Sequence, residues 1–244
     1  MTNLIVTLFD TADEVAAAAA AHIAETLRAK PNAVLGAATG NSFRPVYQHL
    51  VALHKAGQSP FAGVTTFNLD EYVGLPPGHP AAFATYMHEC LFDLVDIDPA
   101  RAHLPDVAQA DLIAACRAYE EAIIAAGGID LQFLGLGRNG HIGFNEPGSP
   151  HDSRTRQVTL TESTIVANTG DFPPGETPPP TAITMGVGTI LEAREIMLVV
   201  TGEHKAEALH TALRGTESLD CPASALQNHA NVHLFCDKAA AAGL

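Results

Sequence analysis

Residues 33–69, AVLGAATGNSFRPVYQHLVALHKAGQSPFAGVTTFNL, decide the fold. An apolar run at 33–38 reads as a strand and is followed by a small turn. An amphipathic stretch at 43–55 reads as a helix, and a second apolar run at 64–69 reads as another strand. Strand, helix, strand is the repeating unit of a parallel sheet. The same alternation runs outward in both directions. Upstream, residues 4–8 read as a strand, and Thr11 with Glu14 forms a capping box that opens a helix to about residue 28. Downstream, helices are expected at 82–92 and 111–126, the latter closed by Gly127-Gly128. A strand at 129–136 follows, then a short helix capped by Thr159 with Glu162 and running to about 168. A strand at 196–200, a helix at 204–213 and a last strand at 232–236 complete the pattern. The expectation is an α/β fold, with a mostly parallel central sheet and helices on both faces.

No internal repeat or domain boundary interrupts the 244 residues, so a single domain over 1–244 is expected. One segment stands apart. Residues 170–180, GDFPPGETPPP, hold five prolines, which exclude helix and central strand. Such a stretch is a surface linker or a lid, and its place after the site motifs marks 159–180 as the candidate lid.

The composition, 47% hydrophobic and 16% charged, is globular. The formal net charge of -14 repels nucleic-acid backbones and anionic lipid, so neither is expected as a partner. No secretory leader and no membrane span is legible, which points to the cytoplasm. Cys90, Cys116, Cys221 and Cys236 are widely spaced and read as reduced, buried thiols rather than disulfides or a metal site.

Open parallel sheets bind ligands beyond the carboxyl ends of their strands. Four strands are followed there by chemistry-bearing turns: Thr39, Gly40, Asn41 and Ser42; Asp70 and Glu71; residues 137–141, GRNGH; and residues 201–205, TGEHK. Any one of these reads equally as an ordinary turn. Four at one sheet edge point to a site. The turn at 39–42 enters a helix and has backbone amides to offer a phosphate, and Lys205 supplies a cation. It is neither a Walker A motif nor GxGxxG, so nucleotide binding is not indicated. Asp70, at a strand end, is a candidate proton shuttle, with Glu71 pointing elsewhere. His141 lies five residues before Glu146 in GHIGFNEPG (140–148), where the carboxylate can orient the imidazole and support its protonated form. No HxxxH or HxH spacing accompanies it, so a zinc reading is weak.

At these residues the chain resembles the glucosamine-6-phosphate deaminase family. The segments are LGAATGNS (35–42), FNLDEYVGL (67–75), HPAAFATYMHECLF (79–92), GIDLQFLGLGRNGHIGFNEPGS (128–149), SRTR (153–156), AITMGVGTIL (182–191) and TGEHKAEAL (201–209). The resemblance implies a Rossmann-like three-layer fold, a small amino-sugar phosphate as partner, no metal or organic cofactor, and a monomer or small homo-oligomer. It implies that His141 opens the pyranose ring with Glu146 orienting it. Asp70 would move the C2 proton to C1, and Thr39–Ser42 with Lys205 would hold the 6-phosphate. The related phosphogluconolactonases share the fold but lack FNEP after the histidine.

Three positions depart from the family pattern. Asn139 stands where many members carry Asp, and a neutral amide stabilises imidazolium less than a carboxylate does. Gly170 stands where the family has a lid arginine, and no Lys or Arg occurs between Arg156 and Arg194. Arg138 and Arg154 are the candidate substitutes. Val158 stands where allosteric members carry a lysine. Two alternatives accompany the deaminase reading: a deaminase for galactosamine 6-phosphate, and a non-catalytic sugar-phosphate sensor.

Overall fold

The computed structural model describes residues 3–244 and turns this alternation into two sheets. In chain order the strands are β1 (Asn3–Phe9), β2 (Val34–Ala37), β3 (Thr65–Asn68), β4 (Asp70–Tyr72), β5 (Ala102–His103), β6 (Leu131–Leu134), β7 (Arg156–Thr159), β8 (Thr181–Thr184), β9 (Glu195–Val200) and β10 (Asn231–Asp237). The helices are α1 (Ala12–Ala29), α2 (Phe43–Lys55), α3 (Phe83–Cys90), α4 (Leu112–Ala125), α5 (Glu162–Asn168), α6 (Val187–Leu191) and α7 (Ala206–Arg214). The large sheet has seven strands in the order β1-β10-β9-β6-β2-β3-β5, and every pairing in it is parallel. The chain leaves β2 toward β3 and β5, then returns to β6 and proceeds the other way. The reversal between β2 and β6 is the switch point where such sheets open a ligand crevice.

The inner strands are buried along their whole length, which is why they read as continuous apolar runs. Helices flank them through matching stripes. On α1, Val15, Ala19, Ile23 and Leu27 are buried at helical spacing, and the capping box at Thr11 and Glu14 is formed in full. On α2, Phe43, Tyr47 and Leu50 are fully buried. Each such large side chain contributes about 1.5–3 kcal/mol relative to exposure. No helix among the described residues is long and apolar enough to cross a membrane. All four cysteines are free and buried.

A second, antiparallel sheet of order β4-β8-β7 stands beside the first and was not legible in the sequence. Its segments, DEY, RQVT and TAIT, are short and half polar. They are held by a separate apolar cluster of Tyr72, Phe144, Leu160, Phe172 and Ala182. This sheet corrects one expectation. Thr159 pairs with Thr181 as the last residue of β7, so it is held extended and does not cap a helix. Thr161 is the N-cap of α5, its hydroxyl accepting from the Thr164 amide. The proline-rich segment closes the connection from α5 to β8, with Phe172 packed in the small sheet's apolar cluster and the Pro180 carbonyl accepting from the Leu160 amide.

Candidate active site

A cleft of about 780 Å³ opens at the carboxyl ends of β2, β3, β6 and β9. Eight of the nine expected residues line it: Thr39, Gly40, Asn41, Ser42, Asp70, Asn139, His141 and Lys205. Glu146 is buried behind them, beside His141.

The turn at one end is built by its carbonyls. Gly40 has φ 98°, open only to a residue without a side-chain penalty. Its carbonyl accepts from the Phe43 and Arg44 amides and from the Tyr86 hydroxyl, while the Tyr47 hydroxyl donates to the Ala38 carbonyl. With these carbonyls turned inward, α2 aims its N-terminus at the cleft. Ser42, its N-cap, makes no capping bond, which leaves the hydroxyl for a ligand. Lys205 lies across the cleft with Nζ 2.6 Å from the Leu136 carbonyl. Burial, with Arg138 nearby, lowers its pKa. Arg138 and His204 also line the cleft. His204 was overlooked in the sequence, although it sits in the same TGEHK turn. Arg154, the other candidate substitute for the lid cation, is elsewhere: it pairs with Glu120 and Glu192.

Asp70 is buried, and its carboxyl is pushed up to about 8 by burial and then by Glu71, with the nearby Phe144 amide opposing the shift. Glu71 does point away, as alternation requires. Its carboxylate accepts from the amides of Phe83 and Ala84, the first turn of α3, whose own N-cap residue Ala82 makes no side-chain bond. Glu71 thus caps a helix from another element, a contribution of about 1 kcal/mol.

The His141 ring lies against the Gly137 backbone, where a Cβ would stand 2.3 Å from ring atoms. Nδ1 lies 3.8 Å from Glu146 Oε2, an ion-pair distance rather than a hydrogen bond. The carboxylate is engaged elsewhere. Asn139 Nδ2 donates to Oε2 at 2.8 Å, and the Thr164 and Thr161 hydroxyls donate to Oε1. Asn139 therefore acts on the carboxylate rather than on the ring. The expected support for imidazolium is outweighed: burial lowers the His141 pKa, Lys205 adds to this, and Glu146 opposes it. Arg156 is held behind the loop, donating to Asn145 Oδ1 and Ser149 Oγ.

The candidate lid covers the cleft with Ser163, Thr164, Ala167, Asn168, Asp171 and Phe172. It is tied down by the Asn168 amide on the Tyr72 hydroxyl at 2.9 Å and by Phe172 against the Tyr72 ring. The charge it brings to the cleft is a carboxylate, Asp171.

The family described as glucosamine-6-phosphate isomerases/6-phosphogluconolactonase matches residues 8–235. A glucosamine-6-phosphate deaminase of Shewanella loihica is 52% identical over 240 residues, covering 98% of this chain and 89% of that one. One of Rhodopirellula baltica is 52% identical over 229 residues, covering 94% and 91%. A solved structure of a monomeric glucosamine-6-phosphate deaminase superposes with a TM-score of 0.95 at 43% identity, covering 98% of this chain and all of that one. A 6-phosphogluconolactonase from Trypanosoma brucei superposes at 0.79 with 19% identity over the full length of both, a likeness of fold.

Proposed function

Since this chain belongs to the glucosamine-6-phosphate isomerase/6-phosphogluconolactonase family, we propose that it converts glucosamine 6-phosphate to fructose 6-phosphate and ammonia. The relatives named above, deaminases at about 50% identity over nearly the whole chain, support this substrate. The observation that carries the chemistry is one buried carboxyl, Asp70, and one low-pKa imidazole, His141, lining a cleft with Lys205 and Arg138.

The steps follow from those groups. The N-terminus of α2, the Ser42 hydroxyl and Lys205 hold the 6-phosphate. Neutral His141 takes the proton from the anomeric hydroxyl and returns it to the ring oxygen, which opens the pyranose. The transient imidazolium is stabilised by Glu146, whose carboxylate Asn139, Thr161 and Thr164 keep in place. Ionised Asp70 then removes the C2 proton of the open chain and delivers it to C1 through an enolamine. The product is a 2-imino sugar, which water hydrolyses to the ketose and ammonia. Residues 159–180 act as a lid within a single domain. The unpaired thiols suit a cytoplasmic enzyme, and the monomeric solved relative supports a monomer.

The test is ammonia and fructose 6-phosphate release from purified protein, with galactosamine 6-phosphate and 6-phosphogluconolactone in parallel. Release from glucosamine 6-phosphate is expected. Turnover of the lactone alone, or of no substrate, overturns the reading.

A further inference from the structure

Apart from the cleft, one group of side chains is arranged for chemistry that the deamination does not use. His22 projects from the middle of α1, Glu195 is the first residue of β9, and His233 is the third of β10. Register places Glu195 and His233 on one sheet face, the face that α1 covers. One potential ligand atom from each residue lies within 4.8 Å of the other two, and all three side chains are half-buried. Among the described residues this is the only trio of His, Cys, Asp or Glu so grouped. It sits at the start of β9, while the cleft is at its end. Five residues of strand, about 16 Å, separate them.

We propose that His22, Glu195 and His233 bind one divalent ion of the zinc class, clamping α1 to β9 and β10. Two imidazoles and one carboxylate form a donor set that favours zinc, cobalt, nickel or copper over magnesium or calcium. Tetrahedral ligands about 2.0–2.1 Å from an ion stand about 3.3 Å apart. His22 Nε2 and Glu195 Oε1 are 2.7 Å apart now, joined by a hydrogen bond, and the His22 and His233 ring centroids are 5.1 Å apart. Small side-chain rotations convert this triangle into three corners of a tetrahedron, and the partial exposure lets water supply the fourth. Ligation through His22 Nε2 replaces its hydrogen bond to Glu195 and requires the neutral ring with its proton on Nδ1.

The surroundings favour occupancy. Thr7 Oγ1 lies 2.9 Å from His233 Nε2, and the ring stacks on Phe235 at 4.0 Å, so its orientation is set.

The experiment titrates Zn²⁺ alone into full-length, chelator-stripped protein by calorimetry, with Co²⁺ absorption as a second probe of coordination. One equivalent is expected to bind. His22→Ala, Glu195→Gln and His233→Ala should each weaken binding by at least about 100-fold, and Thr7→Val by about 10-fold. At a hundredfold excess over Kd, zinc should raise the Tm of the wild type by about 5–10 °C and leave that of the three ligand variants unchanged. Glu195→Gln is nearly isosteric and reads the site even if a histidine variant fails to fold. No saturable binding by wild type overturns the proposal. So does wild-type binding by the folded variants, which puts the ion elsewhere. Ammonia release plays no part in either readout, so failure here is distinct from failure of the deaminase reading.

Discussion

Replacing Asp70 by Asn tests the central proton transfer and the environment that tunes it. The wild-type carboxyl is raised from 3.8 to about 8 because the fold buries it beside Glu71. A raised acid binds more protons folded than unfolded, so its contribution to stability is fully present below the unfolded value. It is lost progressively as pH climbs toward about 8. The slope in that window approaches about 1.4 kcal/mol per pH unit. Asn is nearly isosteric but cannot ionise, so it escapes the loss. Between about pH 6 and about pH 8 the variant should gain about 2 kcal/mol on wild type, about 5 °C in Tm for a chain of this size. Titrating groups that do not interact with Asp70 are common to both proteins and cancel in the difference. Activity should move the other way, falling by about 100- to 10,000-fold in kcat with the loss of a positioned proton-transfer group. Wild-type kcat/KM should itself rise with pH toward about 8, as the base of the free enzyme ionises. The assays are thermal melts across pH and coupled ammonia release. A Tm difference that stays flat with pH would show that Asp70 is ionised in the fold, and undiminished ammonia release would remove it from the mechanism.

Three further outcomes are expected. Gly137→Ala should cut turnover about as deeply as His141→Gln, because its Cβ would stand 2.3 Å from the imidazole and displace it. An open-chain analogue that cannot cyclise should be spared by both, and equal loss on it refutes the ring-opening role. Gly170→Arg should lower KM for glucosamine 6-phosphate with little change in kcat, the mark of added uniform binding. The site is exposed, its φ is ordinary and a Cβ there meets nothing within 4 Å, so an unchanged KM could not be blamed on misfit. Saturation curves should be hyperbolic and indifferent to N-acetylglucosamine 6-phosphate, since Val158 is packed against the small sheet's apolar cluster. A sigmoidal curve relieved by that sugar would refute this.

The parts of the site legible in the sequence are those governed by local pattern. α2 has the bounds that the sequence predicts, 43–55, because a small turn precedes an amphipathic stretch of clear helical period. The cleft lining followed from asking what comes after each strand. What escaped the sequence depends on contacts between distant segments. Nothing in DEY announces a strand until β8 lies beside it, and nothing marks Glu71 as the cap of α3 until the chain has turned through the eleven residues between it and Phe83. Sequence proximity puts Asn139 next to His141, and its Oδ1 does accept from the His141 backbone amide, but the fold turns its Nδ2 onto Glu146 rather than onto the ring.

These contacts explain how an acidic chain accommodates an anionic substrate. The net charge of -14 sets a repulsive field, and Asp171 on the lid adds to it at the cleft. In the proposed binding mode the attraction comes from Lys205, Arg138 and the N-terminus of α2, all of which line the cleft. Lys205 is half-buried and anchored to the Leu136 carbonyl, so its charge is fixed where screening by salt is weak. Charge-assisted bonds from such a group are worth about 1.5–3 kcal/mol each. The candidate lid brings Phe172 and Asp171 to the cleft and no cation, so in the proposed mechanism it would not tighten on the phosphate. A cation added at Gly170 should therefore change KM and leave the proton-transfer groups as they are.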